Sequence, residues 1–583
     1  MKIFIFLIAL TSIIYSCQNS KFLDDKTVGI SAEDVFTDSV RTLGFLNRIY
    51  QDMGYSFDSY RFSAAGGSGN MELATDNAEG NNNVSVWGNA YAQGVIAPSN
   101  VLTGFAANKD LWNTPYTNIR RVNLLLTKLP NAPFTPATRT RMVAEARFLR
   151  AFYYYNMVAA FGGIPLVGDR VFEINDLIDL PRNTFEESIN YIVQELDAAA
   201  ATLASVVYRD IDFGRITNGA CLALKSRVLL YAASPLFNGG LSSEATAELS
   251  ALVGYPNYDK NRWQNAATAA EAVISSHKYA LNVDNETRPG NGFYQVFLKR
   301  INSEYILAYN RTTQKELEAY YLPPTRSGSS VMKPTHNLVA AFPMRDGKPT
   351  NESTLYDPNN PYANRDPRFD YSIIYNGLSY VSNTGPKTTI YTYMSNGSNP
   401  ANPTNDAYTP NNYSTGYYSR KMLDENLATN TAGSTERGWP LIRYAEILLN
   451  YAEAINEAGF PERAYDKLKE LRERAGIFPG SDRMYGLKVG MNVEQMRIVI
   501  QNERRIELAF EDHRFNDIRR WMIAENVLKG FNKTIIITRN GNTFTYLVGS
   551  ALRPLNFRKA MYLLPIPLSE IQKMPLMRQN PGY

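Results

Sequence analysis

The chain has 583 residues, of which 44% are apolar and 20% charged, and its net charge is +4. That composition excludes a disordered chain, and without a long Lys/Arg run the charge gives no case for nucleic acid. The two cysteines, Cys17 and Cys221, exclude a disulfide framework once the first is read as an anchor.

In chain order, residues 1–16 read as an export signal. Lys2 is followed by an apolar run, Ile3 to Ile14, too short for the roughly 20 residues that cross a bilayer. Ile14-Tyr15-Ser16-Cys17 resembles a bacterial lipobox, which makes Cys17 the lipid-bearing residue. Residues 17–30 form a polar tether. Val35, Val40, Leu43, Leu46 and Tyr50 then recur at rough helical spacing. Between Gly54 and Asn100 the glycines and asparagines signal loops.

Helices then come in pairs. Trp112 to Leu126 and Arg141 to Phe161 form the first, and Gly162-Gly163 stops the second helix. Thr184-Phe185-Glu186-Glu187 is a capping box that opens a helix through Leu203. Ala220 to Ala233 is expected to pair with Trp263 to Ser276, and Cys221 to be a small buried hydrophobe. Ile442 to Ile455 and Ala464 to Leu471 make a last hairpin. Its length is close to the tetratricopeptide unit of about 34 residues, whose helices bury their apolar faces only by stacking. The expected organisation is therefore mostly α. Helix-pair regions span 31–280 and 441–583, and an irregular Asn-, Gly- and Tyr-rich insert spans 281–440.

The aromatic run Phe148 to Tyr155 sits at helical spacing and is expected in the core. On the charged stretch Glu503 to Trp521, Glu503, Glu507 and Glu511 lie four residues apart, within the reach that glycosidase carboxyls need. Arg504, Arg505 and Arg514 stand beside them, so salt bridges between helices are expected rather than catalysis. No zinc or EF-hand pattern appears. No cofactor is expected, and a structural calcium is the one metal left open. Trp87 and Tyr91, among Asn81, Asn82, Asn83 and Asn89 and downstream of Asp76, are aromatics in polar surroundings and the candidate ligand contacts of this early loop.

Several stretches together resemble the SusD/RagB family of Bacteroidetes outer-membrane lipoproteins. They are Phe148-Leu149-Arg150-Ala151-Phe152-Tyr153-Tyr154 with Phe161-Gly162-Gly163-Ile164-Pro165-Leu166, then Arg365-Asp366-Pro367-Arg368-Phe369. Arg443 to Ala454, Glu503 to Trp521 and the terminal Asn580-Pro581-Gly582-Tyr583 follow in the family's order. The resemblance implies tetratricopeptide-like helix pairs carrying an irregular ligand-binding region. It implies no enzyme activity. It implies a glycan ligand, passed at the cell surface to a SusC-like TonB-dependent β-barrel transporter in the outer membrane. It adds Tyr320, Tyr321 and Arg326 as ligand contacts. Peptide capture on the same fold, and a surface glycosidase, are the rival readings.

Overall fold

The computed structural model describes residues 32–54, 71–80, 86–105, 109–394, 406, 414–428, 433 and 436–583, apart from positions 174, 312 and 314. The signal, the tether with Cys17, and Asn81 to Asn83 lie outside the described residues.

The scaffold is a stack of helices. Its members are α1 (Ser39–Gln51), α2 (Trp87–Ala92), α3 (Asn113–Lys128), α4 (Pro136–Phe161), α5 (Phe185–Leu203), α6 (Asn218–Ala233) and α7 (Asn261–Ile274). Two strands, β1 (Tyr305–Arg311) and β2 (Arg437–Arg443), precede α8 (Tyr444–Glu457), α9 (Tyr465–Arg474), α10 (Val493–Glu507) and α11 (Arg514–Arg520). A long hairpin, β3 (Lys529–Asn540) and β4 (Thr543–Asn556), follows. Each helix from α3 to α7 packs on a neighbour, in the order α3, α4, α5, α6, α7, and α8 packs directly on α7. The last pair is thus distant in sequence but adjacent in space.

Local chemistry sets the helix ends. Thr184 accepts from the backbone N–H of Glu187 while the Glu187 carboxylate accepts from that of Thr184, closing the capping box that opens α5. Gly162 ends α4 at φ +80°, where an added Cβ would meet the carbonyl oxygen of Leu252 at 2.7 Å. The expected first helix is interrupted: Asp38 caps α1 by accepting from the N–H of Arg41, a short helix Ala32–Phe36 precedes it, and Val40 faces solvent. Ile442 belongs to β2 rather than to α8. The stretch Glu503 to Trp521 is two helices, since Phe510 and Asp512 take positive φ between α10 and α11. The hairpin β3–β4 went unexpected, although Asn540-Gly541 between alternating runs is a hairpin signal.

Two cores result. The larger runs through the helical stack and includes the whole aromatic run of α4 and Cys221. The second collects the insert's Tyr, Phe and Ile side chains around Ile506, Ala509 and Phe510. Antiparallel pairing of β1 with β2 closes the insert at its base.

A buried ionic network fastens insert to scaffold. Arg368 of the insert binds Asp366 at 2.7 Å, Glu503 at 2.7 Å and Glu507 at 2.9 Å. Arg443 binds Glu304 at 2.6 Å, Glu507 at 2.7 Å and Glu511 at 2.6 Å. Arg474 holds Glu304 and Glu507, Arg472 holds Glu503, and Lys421 holds Glu511. Burial alone would raise the Glu507 carboxyl, but Arg474, Arg443 and Arg368 keep it well below the usual carboxylate range. The acids that sequence spacing singles out are the joints of this network.

Candidate functional site

Most residues expected at the ligand are instead structural. Trp87 and Tyr91 are 1% and 0% exposed. They open and continue α2 rather than a loop, stack on one another at 5.4 Å, and both meet the edge of Phe515. The Trp87 indole N–H donates to the carbonyl of Val101, and the Tyr91 hydroxyl donates to that of Met561. Neither ring offers a face to a ligand in this structure. Of the asparagines that suggested a wet loop, Asn89 is described and is buried, accepting from Arg553 at 2.8 Å.

Asp76 is buried between Arg505 and Arg514, at 2.9 and 2.8 Å. Burial opposes its charge, yet the two guanidinium groups hold its carboxyl at about 2. Asn81 lies outside the described residues. Tyr321 is buried with its ring 6.4 Å from Phe510, and Tyr320 is half-buried on the same short helix, Glu316–Tyr321. Arg326 is 5% exposed. Its guanidinium donates to the carbonyls of Val381 and Thr388 at 2.9 and 3.0 Å, so it braces the insert from inside.

A cluster of three partly exposed aromatics lies next to that brace. Residues 391–394 run beside β3, where the N–H of Met394 donates to the carbonyl of Ile537 at 2.8 Å. Period-two alternation buries Thr392 and turns Tyr391 and Tyr393 outward. Across the hairpin, Phe544 sits 6.2 Å from Tyr391 and 5.7 Å from Tyr393. Tyr391 is 36% exposed, and Tyr393 and Phe544 are half-buried. Arg539 lies 5.5 Å over the Tyr393 ring, and the exposed turn carries Asn540 and Asn542. Three rings with amide and guanidinium donors at their edge form an open platform. Sugar rings present C–H faces to such a surface while their hydroxyls need just those donors.

The platform is held from beneath. The Asp406 carboxylate accepts from the N–H of Thr325 at 2.8 Å, and the Asp406 N–H donates to the Tyr391 carbonyl at 2.8 Å. This ties the Thr325-Arg326 turn to the Tyr391 strip. Along β4, Tyr546 shares a face with Phe544 and meets Tyr362 edge-on at 5.5 Å. Tyr362 lies 4.6 Å from Tyr375, whose hydroxyl donates to Asp370 at 2.8 Å. The sequence signal for the platform was the Ile390-Tyr391-Thr392-Tyr393 alternation together with the Asn540-Gly541 turn.

A cavity of about 600 Å³ lies elsewhere, between α3, residues 165–180 and the helix Leu568–Lys573. Its wall mixes the aliphatic Val167, Ile178, Leu180 and Met574 with the rings of Tyr116 and Phe172 and the guanidinium groups of Arg120 and Arg170.

A family model described as "SusD family" matches residues 282–583, just over half of the chain. The chain belongs to the SusD family. A second model, described as "Starch-binding associating with outer membrane", matches residues 48–230 of this SusD-family chain. Among curated relatives, SusD-like protein P38 of Formosa agariphila is 24% identical over 430 residues, 72% of this chain and 74% of the relative. A SusD-like protein of Bacteroides fragilis, known from its crystal structure, superposes with TM-score 0.74 at 25% identity, covering 95% of this chain and 99% of that one. A second crystal structure from Bacteroides fragilis, a SusD-like carbohydrate binding protein, gives TM-score 0.71 at 24% identity over 93% and 100% of the two chains. The tetratricopeptide-like helical fold of the SusD-like structures is thus the fold of this chain. No helix among the described residues is long and apolar enough to cross a membrane.

Proposed function

We propose that this chain is a cell-surface lipoprotein, anchored in the outer membrane through Cys17, that captures oligosaccharide for nutrient uptake. The observation that carries the reading is the solvent-facing platform of Tyr391, Tyr393 and Phe544, mounted on a SusD-family scaffold. The rings take the apolar faces of consecutive sugars, and Arg539, Asn540 and Asn542 meet their hydroxyls. A SusC-like TonB-dependent β-barrel receives the ligand, and the tether keeps the platform beside it. Capture and hand-over need no cofactor and no catalytic group. The network supports that view, since Glu503, Glu507 and Glu511 are each committed to Arg or Lys partners.

Isothermal titration against a glycan library tests the reading. Removing about 50 Å² of ring face from water contributes about 1.3 kcal/mol, close to tenfold in affinity. Tyr391→Ala or Phe544→Ala should therefore weaken the best glycan about tenfold, and Tyr391→Ala, which is outside the second core, should do so without changing the melting temperature. Tight peptide binding with no glycan response would replace the proposal with its peptide-capturing rival. Unchanged glycan affinity in both variants would move the site away from the platform.

A further inference from the structure

A second cavity in the insert, of about 250 Å³, is walled by four arginines: Arg288, Arg345, Arg365 and Arg420. Asp370 is the single carboxylate of its wall, and Tyr371 the single aromatic ring. Arg288 and Arg420 are both paired with Glu425, and Arg420 also donates to the Asp370 carbonyl. The other two have no carboxylate partner among the described residues. Arg365 spends its terminal nitrogens on the carbonyls of Pro361, Val339 and Phe342, at 3.1, 2.6 and 2.7 Å. Arg345 stacks on the Phe478 ring at 4.4 Å and makes no side-chain hydrogen bond or ion pair among the described residues.

Counting Glu425, two carboxylates face four guanidinium groups. The Asp370 carboxyl is moreover occupied by the Tyr375 hydroxyl and pushed up by burial. The Nε–H donors of Arg345, Arg365 and Arg420 are covered and lack an acceptor among the described residues. A buried positive charge without a counter-charge is costly. Buried arginines elsewhere in this chain are compensated in one of two ways: Arg368, Arg443, Arg474 and Arg520 each meet at least two carboxylates, while Arg182, Arg326 and Arg519 are capped by backbone carbonyls. Arg345 has neither kind of partner among the described residues, and it lines a cavity open to solvent on the insert that also carries Tyr391 and Tyr393.

We propose that this arginine cavity binds an anionic substituent of the captured glycan, a carboxylate or a sulfate ester. The planar guanidinium fork matches both groups in bidentate geometry. Arg345 is the residue free to close on the anion. Arg365, fixed by three carbonyls, supplies a standing positive field. The proposal rests on the glycan-capturing reading and narrows it to acidic glycans.

The test uses the full chain with matched probes. These are a galacturonate oligomer against its methyl ester, dextran sulfate against dextran, and inorganic sulfate alone. Losing one charged hydrogen-bond partner costs about tenfold in affinity. At least one acidic probe should bind about tenfold tighter than its neutral partner, with an affinity that falls as salt rises. Arg345→Gln should erase that gap, and Arg345→Lys should restore part of it. Because Arg345 holds no other side chain by a hydrogen bond, both variants should keep the wild-type melting temperature. Equal binding of acidic and neutral partners, unchanged by Arg345→Gln, overturns the cavity proposal while leaving glycan capture intact. Binding of inorganic sulfate that depends on Arg345, with neither acidic glycan bound, overturns the glycan source in favour of a free anion. No response to any anionic probe overturns the proposal outright. Loss of neutral-glycan binding in the platform variants alone, by contrast, tests only the parent reading.

Discussion

Glu507 is the place where the insert is most directly tied to the helical scaffold. Its fully buried carboxylate touches Arg368 from the insert at 2.9 Å, Arg443 at the start of α8 at 2.7 Å, and Arg474 at the end of α9. Glu507→Gln keeps the shape but removes the negative charge, leaving buried cations under-compensated. Removing one partner of a buried pair costs about 3–5 kcal/mol. An unfolding entropy of about 2.1 cal/mol/K per residue gives a chain of 583 residues about 1.2 kcal/mol/K. The melting temperature should then fall by about 2.5–4 °C at pH 7, read by scanning calorimetry. The exposed pair Lys225–Asp197 sets the scale for comparison, since Asp197→Asn should cost less than about 1 kcal/mol. The pH dependence has a defined sign. The folded-state pKa is depressed, so this stability is present above the ordinary carboxylate value of 4.5 and is lost as pH falls toward the folded value. The deficit of the variant should therefore shrink below that pH. A shift no larger than that of Asp197→Asn, or a deficit that grows in acid, would refute the idea that charge at this joint holds insert to scaffold.

Glu72 should behave in the opposite sense. Burial, and then the neighbouring Asp512, push its carboxyl up to about 7, so its ionisation costs stability as pH rises from the ordinary value through 7. At 1.36 kcal/mol per pKa unit, Glu72→Gln should stabilise the chain at pH 8 by up to about 3 kcal/mol, and the gain should fall below about 1 kcal/mol at pH 5 and vanish near pH 3.5 in the same calorimetric scan. Trp87→Ala should destabilise by about 3–5 kcal/mol, because it empties a packed site between Tyr91 and Phe515. At temperatures where that variant remains folded, titration calorimetry should find its glycan affinity unchanged, which separates a core role from a ligand role. Cys17→Ala should release the folded chain from membranes into the soluble fraction, and labelled fatty acid still entering that variant would refute the anchor.

The helical scaffold was legible because its signals are local. The Thr184 capping box, the Gly162 stop and the apolar spacing of α3, α4 and α6 each act within a few residues. The ionic network was half legible: the spacing of Glu503, Glu507 and Glu511 pointed to cationic partners. Those partners proved to be mainly Arg368, Lys421, Arg443, Arg472 and Arg474, from four other segments, while Arg504, Arg505 and Arg514 pair elsewhere. The ligand surface was least legible. Trp87, Tyr91 and Asn89 look wet in sequence because polar residues flank them, but the burial of these three side chains depends on Phe515, Met561 and Arg553, more than 400 residues away. The platform has the reverse character, since Tyr391 and Phe544 acquire a shared face only when β3 and β4 fold back beside residues 391–394.

The way the insert leaves the scaffold explains how one chain can keep a rigid stack and a separate binding surface. Because α8 packs on α7, the stack passes over the insert as though it were not there. The insert departs through β1 and returns through β2, and these strands pair from Tyr305 with Arg443 to Arg311 with Arg437, with a register shift on each side of Leu307. Closing the insert at its root makes the entropy cost of further length small, since that cost grows only as the logarithm of loop size. The root is also where Glu304 and Arg443 enter the ionic network, so the ladder and the charges fix the same point. Changes at Tyr391 or Arg345 lie beyond that point and touch neither the ladder nor Glu507. The ligand surface can therefore be rebuilt without loosening the scaffold. Substitutions at the root should do the opposite, lowering stability and ligand affinity together.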